Sequence, residues 1–401
     1  MREEGSGRSW SALAPFFGAN VLFGAGLFAH ALLYNFYLEG LGFGEGAMGV
    51  AAASLTAGGL AALAPAGVAV DRWGARPVYL GAVLLAALGL TLGAWAERPV
   101  VVFAAAGVAG LGTASWRVAM GPVLMQVTGP SVRSRAFSWN VALLLASGAV
   151  WTALSGSVSA WTAQEASPLR GIRTALWLGA AGTALAGAVF LFVPMGSAPR
   201  APRAAPGIPA PRGRGLSVPR DVVLLVAAVF VWMLGAALVL PFFNLYFQRV
   251  HGLSVERIGM IFASAQALTA LAVFLGGELA QRWGPRRTFG VWAAIFPLAL
   301  LAMVLGPGTW AAVLLFTLQG LPSPATNPLL DEIVLDTAPS DRRGAASSWR
   351  NGATEASGLV GAGLGGVLLE RLGFGPLMAV AAVVAASGAW VLWRSFARSA
   401  R

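Results

Sequence analysis

Long apolar stretches alternate along this chain with short segments that carry most of its arginines. Most of them exceed the roughly 20 residues with which an α-helix crosses about 30 Å of hydrocarbon, and they lack the alternation of barrel strands. The pattern predicts an all-α membrane protein with twelve transmembrane helices. The stretches cover residues 12–38, 46–70, 77–96, 99–127, 136–160, 172–194, 221–247, 257–280, 288–305, 309–335, 346–369 and 375–394.

The composition supports this interpretation. Of 401 residues, 57% are apolar and 11% are charged, and the charged fraction is about half that of a typical soluble domain. These values exclude a disordered chain, a coiled coil and an ordinary soluble enzyme. The chain has no Cys, which excludes disulfides and thiolate metal sites. We expect neither a bound metal nor a cofactor.

The distribution of arginine predicts the orientation. With the N-terminus in the cytoplasm, the inner segments hold about three times as many arginines as the outer loops. The positive-inside rule then places both termini in the cytoplasm of a multi-pass protein of the cytoplasmic membrane, in contact with lipid. The net charge of +11 is therefore a topology signal, and we expect no nucleic-acid partner.

A segment rich in Pro, Gly and Arg interrupts the apolar stretches at residues 196–220. Such a composition cannot form a packed core and predicts a flexible linker on the cytoplasmic side. It divides the chain into an N-terminal six-helix half, residues 1–195, and a C-terminal six-helix half, residues 221–401.

The two halves repeat each other at an offset of about 210 residues. The segment GVAVDRWGARP, which begins at Gly67, matches GELAQRWGPRR, which begins at Gly277. Both halves have the same number of spans in the same orientation, so the repeat is parallel. Further matches pair Asn35 and Tyr37 with Asn244 and Tyr246, Gly42 and Gly49 with Gly252 and Gly259, and Ser138 and Trp139 with Ser348 and Trp349.

Between spans two and three, Gly67, Asp71, Arg72, Gly74 and Arg76 form a loop motif. Together with the two six-span halves and the linker, this motif resembles the major facilitator superfamily over essentially the whole chain. The resemblance implies that superfamily's fold, transport by alternating access and a substrate site near the membrane midplane. It also implies a cavity lined by spans one, four, seven and ten.

The loop motif suggests a gate. Gly67 and Asp71 share one helix face, Gly admits a neighbouring helix, and a helix N-terminus there would attract the carboxylate. The resemblance implies that Asp71 locks the cytoplasmic gate against span eleven while the transporter is open to the outside. Alternatively, the loop only fixes topology through its charge. The second copy, Gly277, Gln281, Arg282 and Gly284, has Gln in place of the acid.

Ionisable groups inside spans are costly and mark functional candidates. Arg117 in span four and Glu355 in span eleven lie near mid-depth, and Asp331 and Glu332 follow three prolines in span ten. We expect these groups to face each other. Arg117 would bind an anionic group or regulate a carboxylate that takes up a proton. The alternatives are a structural ion pair within or between the halves, snorkelling to the inner headgroups and, for Asp331 and Glu332, a role in a gate or helix cap.

Other polar residues lie in the same spans. Asn35, Tyr37, Asn244 and Tyr246 lie at the outer ends of cavity-lining spans. They either contact substrate or close the outer gate by bonding one another, and we favour the gate. His30 can titrate near neutral pH, or it is simply hydrogen-bonded. Together with His30, the further cavity candidates are Asn20, Gln266 and Gln319.

The sequence therefore predicts a secondary active transporter of a small organic solute, coupled to protons and functional as a monomer. No P-loop is present, so direct ATP drive is not expected. A multidrug efflux antiporter is the nearest alternative, but residues 147–156 of span five lack the proline of the Gly-Pro-rich signature that the resemblance implies for proton-coupled drug antiporters. A sensor or an intramembrane enzyme would be a different class. The enzyme is disfavoured because no nucleophile–base or metal-ligand cluster is evident.

Overall fold

The computed structural model describes residues 10–195, 219–320, 322–339 and 342–398, and in these ranges it contains helices and no strand. The all-α prediction is confirmed. The first half consists of six long helices: α1 (Trp10–Gly40), α2 (Glu45–Trp73), α3 (Ala75–Trp95), α4 (Pro99–Val127), α5 (Pro130–Glu165) and α6 (Pro168–Phe190).

The described residues of the second half form eight helical segments. A 3-10 turn over Leu240–Phe242 interrupts span seven between α7 and α8, whereas residue 321, between α11 and α12, lies outside the described residues. The helices are α7 (Arg220–Val239), α8 (Phe243–Arg249), α9 (Val255–Trp283), α10 (Pro285–Val304), α11 (Thr309–Gly320), α12 (Pro322–Thr337), α13 (Arg343–Leu372) and α14 (Phe374–Arg398).

Ten segments of the described chain are helices long and apolar enough to cross a membrane. The helix α9 also runs over 29 residues, and α11 with α12 replaces the predicted span 309–335. Many apolar side chains are exposed, among them Trp310 (88%) and Leu305 (86%). A soluble monomer rarely exposes large contiguous apolar patches, whereas a lipid-facing surface is apolar.

Several predicted boundaries differ from the observed helix ends, and two of them involve arginines. Span five begins at Pro130, not at residue 136, so Arg133 and Arg135 belong to the first turns of α5 rather than to a loop. Arg343 likewise begins α13, three residues before the predicted start. The apolar pattern marks only the part of a helix inside hydrocarbon, whereas these helices extend beyond it, and Pro is favoured at the first position of a helix.

The internal repeat is visible in the backbone. Gly74 and Gly284 have φ of +88° and +82°, and Gly42 and Gly252 have φ of +84° and +65°. Both pairs are separated by 210 residues. Left-handed backbone is sterically costly for residues with a Cβ, which accounts for glycine at both copies of each turn.

The bundle has two ends. We call the end that holds the turns at Gly74 and Gly284 the linker end, because residues 195 and 219 also lie there. The opposite end, with the turns at Gly42 and Gly252, is called the sealed end. The main contacts between the halves run between α2 and α13 and between α5 and α9.

The apolar core joins the halves. One buried cluster contains Leu32 and Met48 of the first half together with Phe243 and Phe247 of the second. These residues lie toward the sealed end of their helices. A second cluster, around Tyr79 and Trp116, belongs to the first half alone. The halves are therefore held together by apolar packing at one end, which positions the space between them.

Candidate transport site between the halves

At the sealed end, α2 and α13 approach as closely as backbones allow. A Cβ on Gly49 would lie 2.6 Å from the carbonyl oxygen of Ala362 and 2.9 Å from Cα of Gly366. Real Cβ atoms essentially never come that near another heavy atom. Glycine is thus required for the two helices to cross here, the packing typical of membrane helices.

The repeat supplies a second crossing, between α5 and α9. A Cβ on Gly156 would lie 3.3 Å from Cα of Gly259. Gly259 is the repeat partner of Gly49, and Gly366 that of Gly156, both at an offset of 210 residues. The two halves therefore touch at two points related by the internal symmetry, of which the α2–α13 point is the tighter.

Polar groups close the same end. Asn35 donates from Nδ2 to Oδ1 of Asn244 at 3.1 Å, and Asn244 donates to the carbonyl of Leu32 at 2.8 Å. Both asparagines are buried, with at most 9% of their surface exposed. The two repeat-related amides thus bond each other across the halves, as the outer-gate hypothesis requires.

The tyrosines differ from that hypothesis. Tyr37 donates to the carbonyl of Ala96 and accepts from Arg173, whereas the hydroxyl of Tyr246 lies 3.1 Å from Nε2 of His251. Each tyrosine therefore binds within its own half. The expectation that all four residues bond one another was wrong for Tyr37 and Tyr246, because their rings point along their own half rather than across.

Ion pairs surround the asparagines. Arg249 of the second half binds Glu39 at 2.8 Å and also binds Glu45, both in the first half. Glu370 accepts from the backbone N–H of Gly46 at 3.0 Å, again across the halves. These charged groups fix how the two halves are oriented relative to each other at the sealed end. Partly exposed pairs contribute little each, so the apolar core and the glycine crossings contribute more of the stability of the seal.

The linker end is open. A Cβ on Gly67, Gly344 or Gly352 would have no heavy atom within 4 Å. Asp71 and Arg72 are exposed, and the structure gives Asp71 no ion pair with any described residue. The close helix approach expected at Gly67 is absent because α2 and α13 have diverged at this end, so the expected lock is not engaged.

The rest of the loop motif has a simpler role. Gly74 forms the turn, and Arg76 donates to the carbonyl of Leu191 at 2.9 Å within the first half. In the second copy, Gly284 forms the turn while Gln281 and Arg282 are exposed. Gly277 is part of α9, but its surroundings lie outside the described residues.

Inside the open space, an ion pair between two described residues joins the halves. Nη2 of Arg117 on α4 lies 3.1 Å from Oε1 of Glu355 on α13, with the Arg side chain 51% exposed and the Glu side chain 19% exposed. At 1.5 Å per residue, the two residues lie about 15 and about 18 Å from the linker-end termini of helices about 45 Å long. The pair is therefore near mid-depth.

The other acids do not face Arg117. Asp331 pairs with Arg350 at 3.1 Å, and Arg350 also donates to the side chain of Asn351 at 2.8 Å and the carbonyl of Asn327 at 3.2 Å. Glu332 is exposed and forms no ion pair with a described residue. The expectation that Arg117 meets Asp331 and Glu332 was therefore wrong, because a second arginine within the same half is closer to Asp331.

Sequence reasoning missed Arg350, whose side chain is only 7% exposed. Arg350 lies near the start of the predicted span 346–369. A signal was available, since the repeat pairs Arg350 with Asn140 at an offset of 210, and both are buried. A polar residue at the same depth in both halves indicates a buried polar site of the fold.

Asn20 belongs to a buried polar site of this kind. Its Oδ1 accepts from the hydroxyl of Tyr79 at 2.7 Å and from Nε1 of Trp116 at 3.2 Å, while Nδ2 donates to Asn140 at 2.6 Å. Asn140 in turn donates to the sulfur of Met120 at 3.1 Å. This buried network holds α1, α3, α4 and α5 together, and it satisfies the oxygen of Asn20 before any substrate arrives.

The remaining candidates are divided. Gln266 donates to Thr152 at 3.1 Å across the halves, beside the α5–α9 crossing. His30 stacks on Tyr34 within α1, with ring centroids 4.0 Å apart. Gln319 is buried, and its Oε1 has no hydrogen-bond partner among the described residues; it lines a small cavity together with Trp232, whose Nε1 is also unpartnered. Among the described residues, no group of three or more His, Asp or Glu is placed to hold a metal ion.

A comparison with protein families settles the class. The model of the Major Facilitator Superfamily matches residues 16–270 and again residues 225–401, and the two overlapping matches cover nearly the whole chain. The chain belongs to the Major Facilitator Superfamily. The resemblance and the fold class predicted from the sequence, with two parallel halves of six spans, are confirmed.

Solved structures of other superfamily transporters share the fold. A mutant of the nucleoside transporter NupG superimposes with a TM-score of 0.78 at 16% identity, covering 96% of this chain and 99% of that one. The xylose transporter XylE from E. coli, in an inward open conformation, gives 0.74 at 12% identity, with 96% and 95% covered. A bacterial homologue of the human lysosomal transporter Spinster, inward-facing and unoccupied, gives 0.75 at 13%, with 97% of each chain covered. No curated protein sequence matches this chain.

As a superfamily member, the chain is a multi-pass membrane protein of the transporter class, and members of this class are generally not enzymes. Its sealed end, its open end and the cross-half ion pair lie along the interface between the halves. That interface is where the superfamily places substrate.

Proposed function

We propose that this protein is a secondary transporter that moves a small polar organic solute across the cytoplasmic membrane by alternating access, driven by protons through Glu355. The observation that carries the proposal is the ion pair of Arg117 with Glu355. It joins the halves at mid-depth, and it lies in the space that is open at the linker end and closed at the sealed end.

The coupling follows from the charges. Ionised Glu355 neutralises Arg117 and ties α13 to α4. Protonation of Glu355 removes the attraction and leaves a guanidinium that must find another acceptor, because an unpaired charge at this depth is costly. A polar or anionic group of the solute supplies that acceptor. Ionised Glu355 and the solute thus compete for Arg117. Because protonation of Glu355 favours the solute in this competition, the movements of proton and solute are coupled.

The conformational change uses the two glycine crossings. We propose that the halves rock about the points at Gly49–Gly366 and Gly156–Gly259. Closely packed helix interfaces switch between two discrete arrangements more readily than they deform continuously. Opening of the sealed end would bring the linker ends of α2 and α13 together. Asp71 would then reach the N-terminal turn of α13, where free N–H groups favour a carboxylate.

Orientation gives the direction of opening. We propose that both termini and the linker are cytoplasmic, so that the described conformation is open to the cytoplasm. The superposition on XylE and the Spinster homologue, whose structures are described as inward open and inward-facing, supports this proposal. A cysteine introduced as Ile208→Cys into this Cys-free chain should resist an impermeant thiol reagent in intact cells and react after permeabilisation.

Proton coupling is tested in proteoliposomes. A thermal-shift screen against a metabolite library first supplies a solute. We expect Glu355→Gln to abolish accumulation of that solute under a pH gradient while solute exchange continues. The matched control is Glu332→Gln, which removes an exposed acid of the same half and should accumulate solute as the parent does. Full gradient-driven accumulation by Glu355→Gln would refute proton coupling through this residue.

A further inference from the structure

A long groove on the outside of the second half lies between α10 and α14. It encloses about 950 Å³. Small residues form its floor, among them Gly290, Ala294 and Ala389, and three tryptophans stand at its rim. Gly290 lies directly against the ring of Trp393, which leaves no room for a side chain at residue 290. The groove lies outside the interface between the halves and takes no part in the transport site.

Among the described residues that line the groove, charge lies at one end only. Arg287 lines it at the linker end, and the guanidinium of Arg394 lies 3.8 Å from the ring centroid of Trp390, another lining residue. Stacking on the ring face holds a guanidinium in place without neutralising it. Neither arginine forms an ion pair with a residue that the structure describes. Two positive charges therefore lie at the mouth of an apolar slot.

The length of the groove matches a lipid tail. Its lining runs along α10 from Arg287 to Leu301. Fourteen residues at 1.5 Å each span about 21 Å, which exceeds the roughly 15 Å of hydrocarbon in one leaflet. The rim tryptophans Trp283, Trp390 and Trp393 are each about half exposed, and tryptophan is enriched where headgroups meet hydrocarbon. Pro297 lies within the lining and leaves a backbone carbonyl without its donor.

We propose that this groove binds an anionic phospholipid of the surrounding bilayer, with its phosphate at Arg287 and Arg394 and one acyl chain along α10 and α14. Charge complementarity selects the anionic headgroup, since basic pockets between transmembrane helices bind such lipids. The apolar slot selects an acyl chain over a free phosphate. The lipid would brace α14, which packs on cavity-lining α7, against α10.

The test uses the purified full-length protein in detergent with added dioleoyl phosphatidylglycerol or dioleoyl phosphatidylcholine, and it counts bound lipid by native mass spectrometry. We expect the parent protein to retain phosphatidylglycerol in preference to phosphatidylcholine. The double variant Arg287→Gln/Arg394→Gln should bind phosphatidylglycerol roughly 30-fold more weakly, since each basic residue near an anionic membrane surface strengthens the attraction about five-fold.

Two further variants serve as controls. The first tests whether any loss of positive charge weakens lipid binding, and the second tests whether the apolar slot is needed in addition to the two arginines. Arg170→Gln/Arg257→Gln removes two exposed arginines at the sealed end and should retain phosphatidylglycerol as the parent does. Ala294→Phe fills the slot at an exposed position and should weaken binding with both arginines intact. Equal retention by the two double variants would overturn the proposal, and so would unchanged binding by Ala294→Phe or competition by soluble glycerol phosphate. Gel filtration confirms that each variant is folded and monodisperse.

Discussion

The α2–α13 crossing makes the sharpest prediction, the change Gly49→Ala. The added methyl would lie 2.6 Å from a carbonyl oxygen and 2.9 Å from a Cα on α13, against ordinary contacts of 3.4–4 Å. Both obstructing atoms are backbone, so α2 and α13 must separate by several tenths of an ångström. Overpacking of this kind costs about 2 kcal/mol, which shifts the equilibrium away from the sealed state roughly 30-fold.

The repeat provides a matched control. Gly259→Ala makes the same chemical change at the symmetry-related crossing, where the nearest atoms would lie 3.2 and 3.3 Å away. The gain in helix propensity from Gly to Ala is the same in both variants and in both conformations, so it cancels. We expect the shift for Gly259→Ala to be several-fold smaller than that for Gly49→Ala.

The assay exploits the absence of cysteine. Spin labels at Arg98→Cys and Leu305→Cys report the distance between the halves at the sealed end by pulsed electron paramagnetic resonance. Gly49→Ala should increase the population with long distances, and transport should slow as the sealed state becomes rare. Identical distance distributions in Gly49→Ala and the parent, or a larger shift in Gly259→Ala, would refute the reasoning that backbone contact at α2–α13 holds this end closed.

Three further predictions concern the gate, the central arginine and a histidine. Asp71→Asn should disfavour the state that is open at the sealed end and slow transport, whereas Gln281→Glu should leave transport near the parent rate; equal rates for Asp71→Asn and the parent would contradict the gate. Arg117→Lys should fold normally but transport poorly, because Lys lacks the planar fork of donors. Arg117→Ala should no longer bind the solute, as measured by calorimetry. Burial lowers the pKa of His251 from 6.5, so the folded state binds fewer protons than the unfolded chain. The thermal midpoint should therefore fall as pH drops below about 6.5 and the change should be smaller in His251→Gln.

The number and order of spans could be predicted because long apolar runs leave few alternatives in a membrane. The interruption of a helix within a span was harder to predict. Pro241 interrupts span seven, while Pro65 and Pro122 stay inside intact helices. A buried proline interrupts a helix only where neighbours supply partners for the freed carbonyls, and those neighbours are not visible in one span's sequence.

The pairing of charges was beyond the sequence for a related reason. Depth along a helix follows from residue number, but the face toward which a side chain points depends on the neighbours. Arg350 and Glu355 are five residues apart on α13, about 140° around the helix. One therefore faces α12 and binds Asp331, while the other faces α4 and binds Arg117. By contrast, Asn35 and Asn244 were predictable as a pair because the repeat places both at the same depth beside the symmetry axis.

The two arginines of the central region differ in what their ion pairs can do. Arg350 is almost wholly buried, has three further acceptor contacts on Asn327 and Asn351, and stays within one half. Breaking that pair would leave a buried charge without compensation, which is strongly destabilising. Arg117 is half exposed, has one carboxylate partner, and that partner belongs to the other half. Water in the open cavity lowers the cost of separating this pair. The same residue types thus give one pair within a single half, which a movement of the halves need not break, and another across the halves, whose exchange is compatible with a transport cycle.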